Sequence, residues 1–316
     1  MDVGGVDDRR GGGGIGGGGG IGGGSGIGGG SGIGGGGLAI GGGAGIVSVI
    51  ITLIVVLMGG NSSGLELPST SSAVPGSRSA ETKAELQQRC NSPGALEQYT
   101  DCRLIKVFNV ADGVWRDEFA RRGVPYSSPR FAFFTGVTST GCGQAGAQVG
   151  PFYCPPDREI FFELGFLKHL QDQFGAQGEF AQAYIVAHEF GHHLQTLLGT
   201  EEQVRTAQQQ DPSRANLYSV GMELQADCYA GVWSNVADKR GDNGITLTQA
   251  NISEAVNAAQ AVGDDRIQQK VQGRLTPESW THGSAEQRSQ WFLTGYRSSG
   301  DLDACNTLAS LKQLRP

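Results

Sequence analysis

His188-Glu189-Phe190-Gly191-His192 places two imidazoles four residues apart with a glutamate after the first, the H-E-x-x-H pattern. On a helix, residues four apart lie one above the other, so both rings converge on one point. Neutral imidazole nitrogen is a good zinc donor at about 2.0–2.1 Å. Glu189 falls beside that point, where it can take a proton from a water at the metal. The residues ahead of the pattern (Ala181, Ala183, Tyr184, Ile185, Val186, Ala187) are small or apolar, as a helix running through a core requires. Gly191 costs such a helix about 1 kcal/mol against alanine, which predicts a close approach there. By average residue usage, chance alone gives a chain of this length the pattern about once in a hundred. A third ligand must therefore come from a second element.

Glu223 and Asp227 supply a candidate. They stand four apart in a segment whose apolar residues (Leu217, Val220, Leu224, Tyr229, Val232, Trp233) keep helical spacing. A catalytic zinc site uses three protein ligands and leaves a fourth position for water, and His2Glu is one such set. Glu223 would complete it. Asp227, one turn on, would accept a hydrogen bond from the far nitrogen of a ligand histidine and fix its tautomer. Two carboxylates at this spacing usually mark a solvated face. Here they interrupt an apolar segment, which costs energy unless they are paired or bind a metal.

His188-Glu-Phe-Gly-His-His-Leu-Gln195 followed by Glu223-Leu-Gln-Ala-Asp227 resembles the bacterial neutral zinc metallopeptidase family, a zincin group of gluzincin style. Gly150-Pro-Phe-Tyr-Cys-Pro-Pro-Asp157 and Thr281-His-Gly-Ser-Ala-Glu-Gln-Arg288 fit too, so the similarity runs from about Cys90 to Cys305. The resemblance implies a Zn2+ cofactor and a polypeptide substrate. It also lifts His282, in the loop before a helix, to a candidate hydrogen-bond donor toward a tetrahedral oxyanion. Tyr229 is the weaker alternative for that role. Zinc on His188, His192 and Glu223 would activate water, with Glu189 as general base. The rival readings are a catalytically inactive, membrane-tethered zinc-binding scaffold and a zinc-free protein with coincidental spacing. A purely structural zinc site has no need of Glu189.

The sequence has 316 residues, 53 of them glycine and concentrated near the N-terminus, and a formal net charge of -7. The acidic balance and the lack of a basic run exclude nonspecific nucleic-acid binding. Six cysteines, with no C-x-x-C, favour disulfides in an oxidising compartment over a cysteine metal site. Among fifteen possible connectivities, the two close pairs favour Cys90–Cys102, Cys142–Cys154 and Cys228–Cys305.

Residues 1–37 read as a disordered glycine-rich segment, because they lack the apolar surface to repay backbone entropy. No Lys-Ser/Thr follows, so no phosphate loop is expected. Residues 38–58 carry no charge and are long enough for a transmembrane helix, the second half carrying the span. The long leader and the absence of a small-x-small site after Met58 favour an uncleaved anchor over a signal peptide. Arg9 and Arg10, offset by aspartates, vote weakly on orientation. The cysteines favour a single-pass protein of the cell membrane with a cytoplasmic N-terminus and an extracytoplasmic C-terminal domain. Residues 59–79, rich in Ser, Pro, Gly and Thr, read as a tether, and residues 80–316 as the catalytic domain.

Within that domain, helices are expected over residues 81–90, through Trp115 and Phe119, over 165–174, over about 179–198 closed by Gly199, and over about 215–239 stopped at Gly241. A strand is expected over 130–137, and a hairpin of 151–154 with 159–164 whose outer strand borders the cleft. By resemblance, that edge would pair with an extended peptide. Thr246-Leu-Thr-Gln249 reads as a capping box for a helix through Ala261, and Ser284-x-x-Gln287 as another. His193 is one residue past His192, about 100° round the helix, and should point away from zinc. His169 reads as a surface residue. Element pattern and resemblance together predict an α+β, helix-rich, zincin-like domain with a small β-sheet.

Overall fold

The computed structural model describes residues 1–11, 80–176, 178–241 and 244–310. Its first element is a short strand, β1 (Val6–Asp8), followed after the return at Ala80 by helix α1 (Lys83–Cys90) and, past a single helical turn, by α2 (Thr100–Arg122). The strands β2 (Arg130–Phe134), β3 (Val137–Thr140), β4 (Gly143–Gly146), β5 (Phe152–Cys154) and β6 (Glu159–Glu163) come next. Helices then dominate: α3 (Leu164–Phe174), α4 (Glu179–Leu197), α5 (Thr200–Gln210), α6 (Ala215–Arg240), α7 (Gln249–Ala261), α8 (Asp264–Gln272) and α9 (Ala285–Arg297).

β2 and β6 are buried along almost their whole length rather than alternately, the signature of strands covered on both faces. They pair in parallel at the centre of a four-stranded sheet of order β1-β2-β6-β5, while β3 and β4 form a separate hairpin. β5 runs antiparallel to β6 and lies at one edge. The expected hairpin is therefore present, with Phe152–Cys154 as its outer strand.

α4 is buried on nearly every side. The close approach expected at Gly191 is there: a Cβ at that position would stand 2.8 Å from the Cα of Ala226 on α6. α6 and α9 meet through a second pair of glycines, where a Cβ on Gly231 would lie 2.0 Å from the Phe292 carbonyl oxygen and one on Gly295 1.9 Å from that of Cys228. Backbone cannot yield as a flexible side chain can. Gly295→Ala is expected to cost about 1–3 kcal/mol of stability through overpacking; a wild-type urea midpoint would contradict so tight a crossing.

Three disulfides tie the domain, Cys90–Cys102, Cys142–Cys154 and Cys228–Cys305, the pairing favoured by the sequence. The long helix expected through Trp115 and Phe119 is one element from Thr100, and the polar stretch after Gly199, open to either a loop or an exposed helix by its sequence, is a helix. The capping box expected on Thr246 and Gln249 falls two residues later, on Thr248 and Asn251. The expected box on Ser284 and Gln287 is present.

One expectation is corrected. Residues 1–11, expected to be disordered, are folded. β1 pairs in parallel with β2, Val6 against Phe131 and Asp8 against Phe133, and Arg10 is 1% exposed. Charged and glycine-flanked, this strand has no periodic signal of its own; pairing and ion pairs hold it. Arg10 donates to Asp8 and to Asp101 (2.7 Å), and Asp101 also accepts from Arg89. Burial works against the Asp101 charge, but Arg89 and Arg10 overcome it and hold its carboxyl below the usual range. A depressed carboxylate contributes stability above its unfolded pKa of about 3.9 and loses it as pH falls through the lower folded value. Asp101→Asn should therefore flatten the fall of the urea midpoint between about pH 5 and pH 2; an unchanged slope would remove Asp101 from acid unfolding.

The proposed transmembrane segment, residues 38–58, and the tether lie outside the described residues. Among the described residues, no helix is long and apolar enough to cross a membrane.

Candidate metal centre

α4 supplies His188 and His192 from one face, and α6, brought close by Gly191, supplies Glu223. His188 Nε2 lies 3.2 Å from His192 Nε2 and 3.2 Å from Glu223 Oε2; His192 Nε2 lies 3.5 Å from Glu223 Oε1. A tetrahedron with bonds of about 2.0–2.1 Å has donor-to-donor edges of about 3.3–3.4 Å. The three separations are of that order, although the two to Glu223 reach different carboxylate oxygens, so this buried group could hold a metal ion.

Each imidazole is held from behind. His188 Nδ1 donates to Asp227 Oδ1 (2.8 Å) and His192 Nδ1 to Gln195 Oε1 (2.8 Å). With both Nδ1 atoms carrying the proton, both Nε2 lone pairs face the common point. Gln195 is itself fixed through its amide to the Met222 carbonyl (2.7 Å) and to Gln225. Asp227 accepts in addition from Tyr184 Oη, Arg288 Nε (2.8 Å) and Arg288 Nη2 (3.0 Å). The tautomer-fixing role expected for Asp227 thus has its geometry, directed at His188.

Glu189 is fully buried, and neither carboxylate oxygen has a well-aligned hydrogen-bond partner, the Tyr153 backbone being a minor donor toward it. Such poorly partnered groups are rare in folded proteins and ask for a missing ion or water. Burial lifts its pKa to about 8, with His188 pulling the other way. With no ion present, His188 itself is carried up to about 9: burial opposes its charge, and Asp227 prevails, so a bound cation would take the place of its Nε2 proton. His192 is pushed down to about 4, chiefly by burial.

The model of a family described as "Putative neutral zinc metallopeptidase" matches residues 2–308. The chain belongs to this family. It is 42% identical over 259 residues to the uncharacterized protein YpfJ of Escherichia coli (strain K12), covering 82% of this chain and 85% of that one. It is 43% identical over 229 residues to the uncharacterized protein Rv2575 of Mycobacterium tuberculosis (strain H37Rv), covering 70% and 75%. No solved structure matches the chain. The family match starts well before Cys90, where the resemblance in the sequence began, and takes in β1. A zinc peptidase family implies zinc, and His188, His192 and Glu223 are where this member could bind it.

His282 is buried and anchored by Asp264, which accepts from its Nδ1 (3.2 Å) and from the backbone amides of Thr281, His282 and Gly283. Glu223 is among the charges acting on it. Tyr229 is not part of the centre. It lies edge-on to Trp115 and lines a small cavity with Phe119 and Arg122, so the alternative oxyanion role is withdrawn. His193 points away, as expected: its Nε2 donates to the Ser127 carbonyl (2.7 Å) and its Nδ1 accepts from Tyr153 Oη (3.0 Å). His169 is exposed. A cavity of about 850 Å³ lies beside Thr135, Glu163 and Gln182 and includes none of the centre's residues. The chemistry of the donors locates the site better than the size of that cavity.

Four residues of the centre escaped the sequence reading as participants: Tyr184, Gln195, Asp264 and Arg288. Gln195 is three residues past His192, on the ligand's own helix face, and that spacing was a usable signal. Arg288 carried no signal, because an arginine in a first helical turn usually reads as solvated; it is fully buried.

Proposed function

We propose that this protein is a zinc-dependent peptidase that hydrolyses peptide bonds in polypeptide substrates. The observation that carries the reading is the buried Glu189 carboxylate, its oxygens without a well-aligned partner, beside three donors close enough to share one ion. A structural site needs the donors and gains nothing from that carboxylate.

His188, His192 and Glu223 would hold the ion. When bound, zinc supplies a Lewis acid that polarises a carbonyl and lowers the pKa of water toward about 7. Glu189 takes the proton of the attacking water and delivers it to the departing amine. Burial raises its pKa with no ion present, and the charge of a bound cation would bring it down toward the range of a base at neutral pH. His282, oriented by Asp264, donates a hydrogen bond to the oxygen on which negative charge develops. The backbone of Tyr153 is among the groups that lower the Glu189 pKa, which puts β5 next to the reacting carboxylate. As an edge strand, β5 offers its free side to an extended substrate, main chain to main chain.

The test is digestion of an unstructured polypeptide by the full-length protein. Cleavage should stop when a chelator removes the metal and return when zinc is restored. A zinc-loaded protein that makes no cuts, or cuts that persist after the metal is gone, would refute the reading.

A further inference from the structure

The first ten residues belong to the folded domain by every kind of contact. Phe131 N donates to Gly5 O (3.0 Å) and Arg9 N to Phe133 O (2.8 Å), extending the parallel ladder at both ends. Val3 and Val6 are in the main core. The Met1 ammonium donates to Asn91 Oδ1 (2.8 Å), and Asn109 donates to the Asp2 carbonyl (2.9 Å). Arg9 pairs with Glu159, which is fully buried, and Arg10 sits among Asp8, Glu81 and Asp101. The chain also departs and returns at one place: Ala80 N donates to Arg10 O (2.9 Å), and Glu81 N to Asp8 Oδ2 (3.0 Å).

We propose that the N-terminus and the catalytic domain lie on the same side of the membrane, because the chain on either side of residues 12–79 is joined at the Arg10–Ala80 junction. This replaces the opposite-sided arrangement expected from the sequence. A single crossing between residues 11 and 80 would put β1 and its slot in different compartments. The slot would then expose the β2 edge and leave buried Asp101 with Arg89 alone of its two arginines, a poorer balance of buried charge. The sequence agrees. Of the uncharged residues 38–58, only the second half, the run Ile46–Met58 with Ser48 and Thr52 inside it, is strongly apolar, 13 residues against the about 20 of a spanning helix. The family match, which begins at residue 2, includes the strand on the near side of that run.

The experiment uses the full chain expressed in bacteria, with one short epitope ahead of Met1 and another after Pro316. Protease is added to spheroplasts and then to lysed cells. Both epitopes should share one fate, digested together or protected together. An N-terminal epitope shielded while the C-terminal one is cut, or missing from the mature protein, would overturn the proposal. A second arm guards against a tag that disturbs β1: Arg10→Ala in the untagged protein should lower the thermal midpoint of the domain. An unchanged midpoint would mean the slot is not filled by this strand, and would overturn the proposal equally.

Discussion

Replacing Glu189 by glutamine is expected to lower polypeptide hydrolysis by about 10²–10⁴-fold, the range for loss of a general base, while zinc stays bound. The amide is nearly the same size, so the buried pocket around residue 189 is preserved. It cannot accept a proton, and none of the three donors is touched, since Glu189 has no hydrogen bond to any of them. Removing a buried carboxyl that lacks a well-aligned partner should also leave stability unchanged or raise it, because the wild-type group carries a desolvation cost that its neighbours only partly offset. Activity and stability should therefore move in different directions. Undiminished turnover in a metal-replete variant would take Glu189 out of the mechanism.

Arg288→Met is the second large effect, this time on folding. Arg288 is buried beneath the centre and makes two hydrogen bonds to Asp227, with Nη2 also 3.3 Å from Tyr184 Oη and Nη1 3.3 Å from the Val262 carbonyl. Methionine keeps much of the volume and none of the charge. Asp227 would then stay ionised or take up a proton in a site built for its anion, and removing one partner of a buried pair costs about 3–5 kcal/mol. The loss should reach zinc affinity too, since Asp227 orients His188. Adding Asp227→Asn to Arg288→Met should recover part of the lost stability, because the stranded charge is then gone. Strictly additive losses in urea unfolding would contradict the coupling.

These effects show what could be read along the chain and what could not. His188 and His192 were legible because ligand spacing on a helix is local, and Glu223 because a carboxylate in an apolar segment is anomalous. The disulfides followed from two close pairs and a remainder. The 151–154 and 159–164 hairpin was visible in its β-prone apolar runs. Val6–Asp8 was not, since a charged strand beside a glycine tract has no pattern until β2 offers it an edge. Arg288 was equally hidden, as its burial depends on where α6 and α9 cross at Gly231 and Gly295. Tyr229 looked available because it is on the Glu223 helix. Six residues along, it faces Trp115 instead.

The most direct measurement is the zinc content of the purified full-length protein beside that of a Glu223→Ala variant, both after dialysis against a weak chelator. The account predicts a single zinc per wild-type chain, bound by two nitrogens and one carboxylate oxygen, and its loss from the variant. A wild-type chain that holds no zinc, or a Glu223→Ala chain that keeps a full equivalent, would contradict it.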